Sequence, residues 1–303
     1  MAEAGLFTGG DDKYFELIAD LIDSIRKINT DITIIVIDGG LNAENIQALK
    51  AKNVTLVNPT FCDDLIGINF KSKINILRLN LDRICEEYHL KLNTLIWLDA
   101  DTWVQKLDYL LDLCFTVTKK NKLAIKAQIS RLDTRSINTR KIINYGTFSL
   151  FMLRNILYKN SRNLGFTNDT IQKLESVPTL NSGVFALDIK SPHWNRFRYW
   201  QKYIIENGGN SFSSDQLAIG YTIYLDNFTF ELLPDTCNYF CGYKMRWNEM
   251  TKKFVDYYPP YEEISVIHHC GLTKFKKDWD KIEIIDMNDE KIIKSILYRF
   301  NLY

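Results

Sequence analysis

No stretch of the 303 residues approaches the ~18 consecutive apolar side chains that a membrane span requires, and nothing resembles a signal peptide. Basic and acidic side chains nearly cancel, 38 Lys and Arg against 37 Asp and Glu, so the chain lacks the basic excess of a nucleic-acid binder. Its six cysteines are scattered and form no disulfide framework. Neither GxGxxG nor GxxxxGK occurs, which disfavours a nicotinamide-dependent Rossmann oxidoreductase and a P-loop nucleotide site. These absences lead to the expectation of a reduced, cytoplasmic protein that binds no nucleic acid. What is present is core: hydrophobic residues make up 46% and aromatics 13%, which excludes disorder and suits one large α/β domain.

The most informative stretch runs Leu95-Ile96-Trp97-Leu98-Asp99-Ala100-Asp101-Thr102-Trp103-Val104. An apolar run delivers two carboxylates two residues apart. On an extended segment such side chains share a face, so both can converge on one cation. Carboxylates held close raise each other's pKa unless a cation neutralises them. Hard oxygen donors select Mg²⁺ or Mn²⁺. The plainer alternative is that Asp-Ala-Asp merely opens a turn.

Ala4 to Phe7 reads as a short strand, Thr8-Gly9-Gly10-Asp11-Asp12 as a glycine turn, and Tyr14, Leu17, Ile18, Leu21, Ile22 and Ile25 as one face of a helix. Glycines there let the backbone approach a ligand, and a helix N-terminus attracts anions. Asp31 to Asp38 is a buried parallel strand ended by Gly39-Gly40, followed by a helix over Asn42 to Lys52 and a strand over Val54 to Val57. The alternation predicts a doubly wound α/β sheet that binds its ligand at the carboxyl ends of the strands. A helix from Lys71 to Tyr88 leads into the Asp99 strand and carries Arg78, which could reach a phosphate or a substrate hydroxyl, or simply face solvent.

Residues 128–179, rich in Arg, Asn, Ser and Thr with a helical patch near Phe148 to Leu157, read as an insertion over the site, either an acceptor-binding lid or surface elaboration. After it, Asn181-Ser182-Gly183 precedes an apolar strand, and Asn181 and Gly183 could face a sugar. Ser213-Ser214-Asp215-Gln216 reads as a capped helix start with Asp215 and Gln216 in the first turn, where Asp215 could equally just complement the helix dipole. A short strand at Val266 delivers His268 and His269 to a glycine turn at Gly271, with Lys274 following. Imidazole can join carboxylates around Mn²⁺, and lysine can hold phosphate. Cys237 and Cys241 upstream admit zinc, at a spacing that fits no usual finger or ribbon. Residues 1–283 are expected to form a single domain. Residues 284–303, with Ile292, Ile293, Ile296, Leu297 and Phe300 at helical spacing, read as an amphipathic helix that could dock on a membrane surface or pack on its own domain.

In this order the motifs resemble the retaining sugar-nucleotide glycosyltransferases of family 8, which include glycogenin and bacterial lipopolysaccharide galactosyl- and glucosyltransferases. Phe7 to Tyr14, Ile35 to Leu41, Arg78-Leu79, Asp99 and Asp101, Asn181 to Val184, Asp215-Gln216, and His268, Gly271 and Lys274 carry the resemblance. It implies the GT-A (nucleotide-diphosphosugar transferase) fold, a Rossmann-like mixed sheet flanked by helices. It also implies that Asp99, Asp101 and His268 hold Mn²⁺ or Mg²⁺ against the diphosphate of a UDP-sugar, with Ala100 in the same donor-binding set and Gly271 and Lys274 on the diphosphate oxygens. Thr8, Gly9, Asp12 and Tyr14 would cradle uridine and ribose. Arg78, Asn181, Asp215 and Gln216 would surround the donor sugar, Asp215 fixing hydroxyls and Gln216 lying beneath the anomeric carbon. The implied activity moves a hexose, from UDP-glucose or UDP-galactose, to a glycan, glycolipid or glycoprotein hydroxyl. A catalytically weak sugar-nucleotide-binding protein is the alternative. Gln128 stands where many members carry an aspartate.

Overall fold

Apolar runs bounded by turn residues build the centre of the molecule, whose computed structural model describes residues 3–61, 73–128, 137–143, 147–153, 156–175, 177–209, 213–270 and 281–300. β1 (Ala4–Gly10) is buried along its whole length, and a 3-10 turn (Asp12–Tyr14) leads into α1 (Phe15–Ile28), which buries Leu17, Ile18, Leu21, Ile22 and Ile25. The expected glycine turn is therefore strand: Gly9 and Gly10 extend β1. Glycine is needed there for close approach, since a Cβ on Gly9 would sit 2.8 Å from the Ile37 carbonyl oxygen and one on Gly10 2.8 Å from Tyr14 Cβ. β2 (Thr33–Asp38), α2 (Ala43–Lys50) and β3 (Thr55–Val57) follow, with Asn42 capping α2 by accepting from the Asn45 N–H.

The single helix expected from Lys71 to Tyr88 is divided into α3 (Lys73–Leu77) and α4 (Leu81–Glu87). The break falls at Arg78-Leu79-Asn80, where the Asn80 side chain donates back to the Ile76 carbonyl at 2.9 Å, the local competition for backbone groups that makes Asn a poor mid-helix residue. Next come β4 (Thr94–Leu98), β5 (Thr102–Val104), α5 (Leu107–Thr118) and β6 (Leu123–Ala127). Within the expected insertion, β7 (Ile137–Ile143) and β8 (Thr147–Leu153) form an antiparallel hairpin, so the stretch after Phe148 is strand rather than a helical patch. Its β-branched and aromatic content suits a strand pair. Helix begins only at α6 (Ile156–Ser161), followed by α7 (Asn168–Glu175).

β9 (Leu180–Asp188), α8 (His193–Glu206), α9 (Ser214–Tyr224), β10 (Phe230–Leu232), β11 (Tyr239–Phe240), β12 (Met245–Asn248), β13 (Lys253–Asp256), β14 (Val266–His268), β15 (Ile282–Asp286) and β16 (Lys291–Lys294) complete the chain. The main sheet has the order β10-β6-β9-β4-β1-β2-β3. All its pairings are parallel except those of β9, which runs antiparallel to both β4 and β6. Side chains alternate between two cores: Phe7, Ile35, Trp97 and Phe185 pack on one face, and Leu6, Ile34, Ile96 and Val184 on the other. Burial on both faces is why these strands read as continuous apolar runs. The architecture is thus a mixed α/β sheet, mostly parallel and flanked by helices.

The C-terminal amphipathic helix does not form. Residue 283 lies inside β15, which pairs with β16 as a hairpin and adds to β12, and a 3-10 turn (Tyr298–Phe300) follows. Asp286 decides this: its Oδ1 accepts from the N–H groups of Asn288 and Glu290, and Asp289 takes φ +65°, reversing the chain. Ile293 and Phe300 remain exposed, but Ile284 and Ile296 join a third core around Trp103, Tyr239 and Phe254. Arg299 then anchors the segment to α1 through Asp20 and Glu16. The helical stripe expected to meet a membrane surface is absent, and no helix among the described residues is long and apolar enough to cross a membrane.

His193, the first residue of α8, is a packing residue, with Nδ1 2.8 Å from Ser191 Oγ and Nε2 2.9 Å from the Thr229 carbonyl oxygen. Burial lowers its pKa below the ordinary 6.5. The unfolded chain therefore binds a proton more readily than the native one, and stability falls as pH drops through 6.5. Urea midpoints measured above and below that pH are expected to fall less in His193→Gln than in the wild type.

Candidate metal centre

β4 ends at Leu98 and β5 begins at Thr102, leaving Asp99, Ala100 and Asp101 in a tight reversal. The Thr102 N–H donates to the Asp99 carbonyl at 3.0 Å and its hydroxyl to the same oxygen at 2.7 Å. The carboxylates thus converge through a turn, not through the strand alternation that the spacing predicts. Two neighbours lock this turn: the Asp99 N–H donates to the Gly183 carbonyl on β9 at 2.8 Å, and the His269 N–H donates to the Asp101 carbonyl at 2.7 Å. β14 lies antiparallel to β5 with His268 opposite Thr102.

His268 Nε2 consequently lies 3.4 Å from Asp101 Oδ1 and 3.9 Å from Asp99 Oδ2. One ligand atom from each of Asp99, Asp101 and His268 falls within 4.8 Å of the others. Asp101 and His268 are buried, while the Asp99 side chain stays 20% exposed and marks the open side. Gly183 makes room for the imidazole, since a Cβ there would lie 2.4 Å from His268 Cε1.

Beside this trio, Arg78 emerges from the break after α3. Its Nη1 lies 3.0 Å from Asp99 Oδ1 and 3.1 Å from Asp215 Oδ2, in the first turn of α9. Nη2 donates to Asn75 Oδ1 at 2.9 Å, and the guanidinium sits 5.0 Å from the centre of the Trp97 ring. Trp97 Nε1 donates to Asp99 Oδ1 at 2.7 Å, and Ser182 Oγ donates to Asp215 Oδ2 at 2.7 Å. Burial works against the Arg78 charge, but Asp99 and Asp215 more than offset it. Burial also pushes the Asp215 carboxyl upward, and Arg78 and Ser182 pull back only in part.

Among the described residues, three carboxylates in this network, of Asp99, Asp101 and Asp215, face one guanidinium and one imidazole. With all three carboxylates ionised and the imidazole neutral, two negative charges are left that a divalent cation would neutralise. Two carboxylates and an imidazole form a donor set suited to Mn²⁺ or Mg²⁺ rather than to a thiolate-loving metal. The cysteines point the same way. Cys237 packs in an apolar cluster with its pKa pushed up to about 12 by burial, and Cys241 donates to the His268 carbonyl. Among the described residues no cysteine joins a metal-ligand group, so zinc finds no thiolate site here.

The other expected site residues divide into two groups. Asn181, Gly183, Asp215 and Gln216 surround the centre, and Gln216 Nε2 donates to the Leu180 carbonyl at 2.9 Å, with Gln128 Oε1 at 3.4 Å. That commits the amide NH₂ and, among the described residues, leaves the carbonyl oxygen for a ligand. Thr8 Oγ1 is buried with no hydrogen-bond partner among the described residues, which suits a ligand contact. Gly9 lies beside it in β1, and Tyr14 is within electrostatic reach of Arg78. Asp12 is tied into the start of α2: its Oδ1 accepts from the Asn42 N–H at 2.7 Å and from Asn45 Nδ2 at 3.0 Å, which holds its pKa below 3.8. Gly271 and Lys274 lie outside the described residues.

Sequence reading missed Trp97, Ser182 and Asn238. Trp97 could have been found, because it stands two residues before Asp99 in the same apolar run. Asn238 carries no local signal: its Oδ1 meets His268 Nδ1 at 2.7 Å across 30 residues of chain.

No protein-family model matches the chain, and curated proteins give no sequence match. Solved structures do match. The galactosyltransferase LgtC, in complex with donor and acceptor sugar analogs, is similar at 16% identity and TM-score 0.52, over 89% of this chain and 88% of that one. An active-site mutant of LgtC gives 16% identity and TM-score 0.53 over 88% and 87%. The bifunctional glycosyltransferase WbbM in its apo form gives 17% identity and TM-score 0.56, over 92% of this chain and 47% of that one. At such identities the likeness establishes the fold, which is the GT-A-like mixed α/β fold of these structures.

Proposed function

We propose that this chain is a metal-dependent, retaining hexosyltransferase of the family-8 type. It moves glucose or galactose from a UDP-sugar to a hydroxyl of a glycan or glycolipid. The observation that carries the reading is the convergence of Asp99, Asp101 and His268 within 4.8 Å of one another, beside the buried Arg78 and Asp215 pair. Neighbours of the same fold include one complexed with donor and acceptor sugar analogs, which supports the substrate class. The buried, reduced thiols of Cys85, Cys114, Cys237 and Cys241 fit a cytoplasmic enzyme.

Asp99, Asp101 and His268 would hold the cation, which supplies positive charge against the diphosphate as the glycosidic bond breaks. Thr8, Gly9 and Tyr14 would seat the nucleoside. Asp215 would orient donor hydroxyls. It is only 3% exposed and held by Arg78 and Ser182, which argues against its being a nucleophile. Gln216, an amide, is a poor nucleophile as well, but its carbonyl oxygen could stabilise an oxocarbenium-like anomeric carbon. Retention would then come from front-face attack. The acceptor oxygen bonds to the anomeric carbon as the carbon–phosphate-oxygen bond breaks on the same face, and the acceptor proton passes to the departing phosphate oxygen.

The test is UDP release from a panel of UDP-sugars with Mn²⁺, with and without EDTA. Release from one sugar, lost with EDTA, is expected. Binding of UDP-sugar without turnover, even with acceptor oligosaccharides present, would leave the binding-protein alternative. Absence of both binding and turnover would remove the reading.

A further inference from the structure

We propose that Asn238 is a positioning residue for His268, fixing the tautomer that turns the Nε2 lone pair toward the cation; the inference rests on the metal reading above. Asn238 is fully buried, between the 3-10 turn Asp235–Cys237 and β11. It belongs to a relay whose hydrogen-bond directions are forced from one end.

The relay starts at a backbone N–H, which can only donate. Gly183 N–H meets Asn181 Oδ1 at 3.0 Å, so that atom must be the oxygen of the Asn181 amide. Asn238 Nδ2 donates to the same oxygen at 2.8 Å. With the Asn238 amide reversed, two carbonyl oxygens would face each other. Asn238 Oδ1 is therefore the atom that meets His268 Nδ1 at 2.7 Å, and only a protonated Nδ1 can donate to it.

A neutral imidazole protonated at Nδ1 carries its lone pair on Nε2. That is the atom lying 3.4 Å from Asp101 Oδ1 and 3.9 Å from Asp99 Oδ2. Without the relay, the carboxylates would favour the opposite tautomer, since an Nε2–H could donate to Asp101 and block the ligand atom. Asn238 removes that competitor from a distance, as partners beyond the ligands commonly do for metal-binding histidines. One consequence falls on Asn181. Its oxygen is engaged twice, so it offers a bound ligand its Nδ2 donor rather than an acceptor.

The experiment reads the tautomer and the metal separately. Ring ¹⁵N NMR of the metal-free wild type, with His268 assigned by its loss in His268→Gln, is expected to show Nδ1 protonated. Asn238→Leu, close in size but without an acceptor, is expected to shift His268 toward the Nε2–H form and weaken Mn²⁺ binding by about 10–100-fold, read by water-proton relaxation. Asn238→Asp keeps an acceptor opposite Nδ1 at the cost of an oxygen–oxygen contact with Asn181 Oδ1, so it is expected to be less stable than the wild type but to retain the tautomer and to bind Mn²⁺ much more tightly than Asn238→Leu. A wild-type neutral His268 that carries its proton at Nε2 and leaves Nδ1 bare, read at a pH where the ring is neutral, overturns the proposal even if Asn238→Leu fails to fold. So does a folded Asn238→Leu protein that binds Mn²⁺ like the wild type. Failure of the metal reading itself is a different result, a wild type that retains no Mn²⁺ while keeping the Nδ1–H tautomer, and it ends the proposal as well.

Discussion

Asp101→Ala is expected to lower metal-dependent UDP-sugar turnover by at least about a thousandfold, several kcal/mol of lost charge stabilisation at 1.36 kcal/mol per tenfold. The effect is this large because the remaining ligands have little to spare. Asp99 Oδ1 is already engaged by Arg78 at 3.0 Å and by Trp97 at 2.7 Å, so among the described residues only its Oδ2 and His268 Nε2 would be left for the cation. Stability should move the other way. Asp101 is 4% exposed and sits against a second carboxylate, so its removal relieves repulsion in the metal-free protein. The metal-free melting temperature is expected to stay level or rise, while the upward shift caused by Mn²⁺ in the wild type disappears. Turnover within tenfold of the wild type would mean that the cation sits elsewhere.

Arg78→Met is expected to destabilise the metal-free protein by roughly 3–5 kcal/mol, the cost of leaving a buried charge without its partner. The side chains of Arg78 and Asp215 are 10% and 4% exposed, so solvent screens the pair little. Asp215 would lose the cation that, among the described residues, offsets its burial and would be driven further toward the neutral acid. Adding Asp215→Asn should therefore recover part of the loss, and urea unfolding of the four proteins in the double-mutant cycle reads the coupling. A loss no larger than about 1 kcal/mol, typical of an exposed pair, would contradict the assignment of this pair as a buried electrostatic support of the site. Mn²⁺ should stabilise Arg78→Met more than the wild type, because the cation then faces an Asp99 carboxylate with one partner fewer.

Where the sequence and the structure part company, the cause is local competition that periodicity does not see. Gly9 and Gly10 look like a turn, yet they are strand because only glycine fits against Ile37 and Tyr14. The helix through Arg78 carries a sound apolar pattern but is broken by Asn80, and that break brings Arg78 to Asp99 and Asp215. The C-terminal isoleucines satisfy a helical spacing and a strand spacing alike, and the Asp286 turn selects the hairpin.

By itself the sequence determined the α/β class, the main strands and the residue types of the candidate metal centre. Strands buried on both faces must be apolar throughout, and two carboxylates at the end of such a strand stand out as a candidate cation site, though the same residues also suit the turn that the structure shows. Tertiary structure decided which groups meet. Pairing of β14 with β5 seats His268 beside the aspartates, and packing of Asn238 against that ring sets which nitrogen is bare. Such contacts join residues far apart in the chain, and their strength depends on distance and hydrogen-bond direction, which no local pattern of residue types encodes.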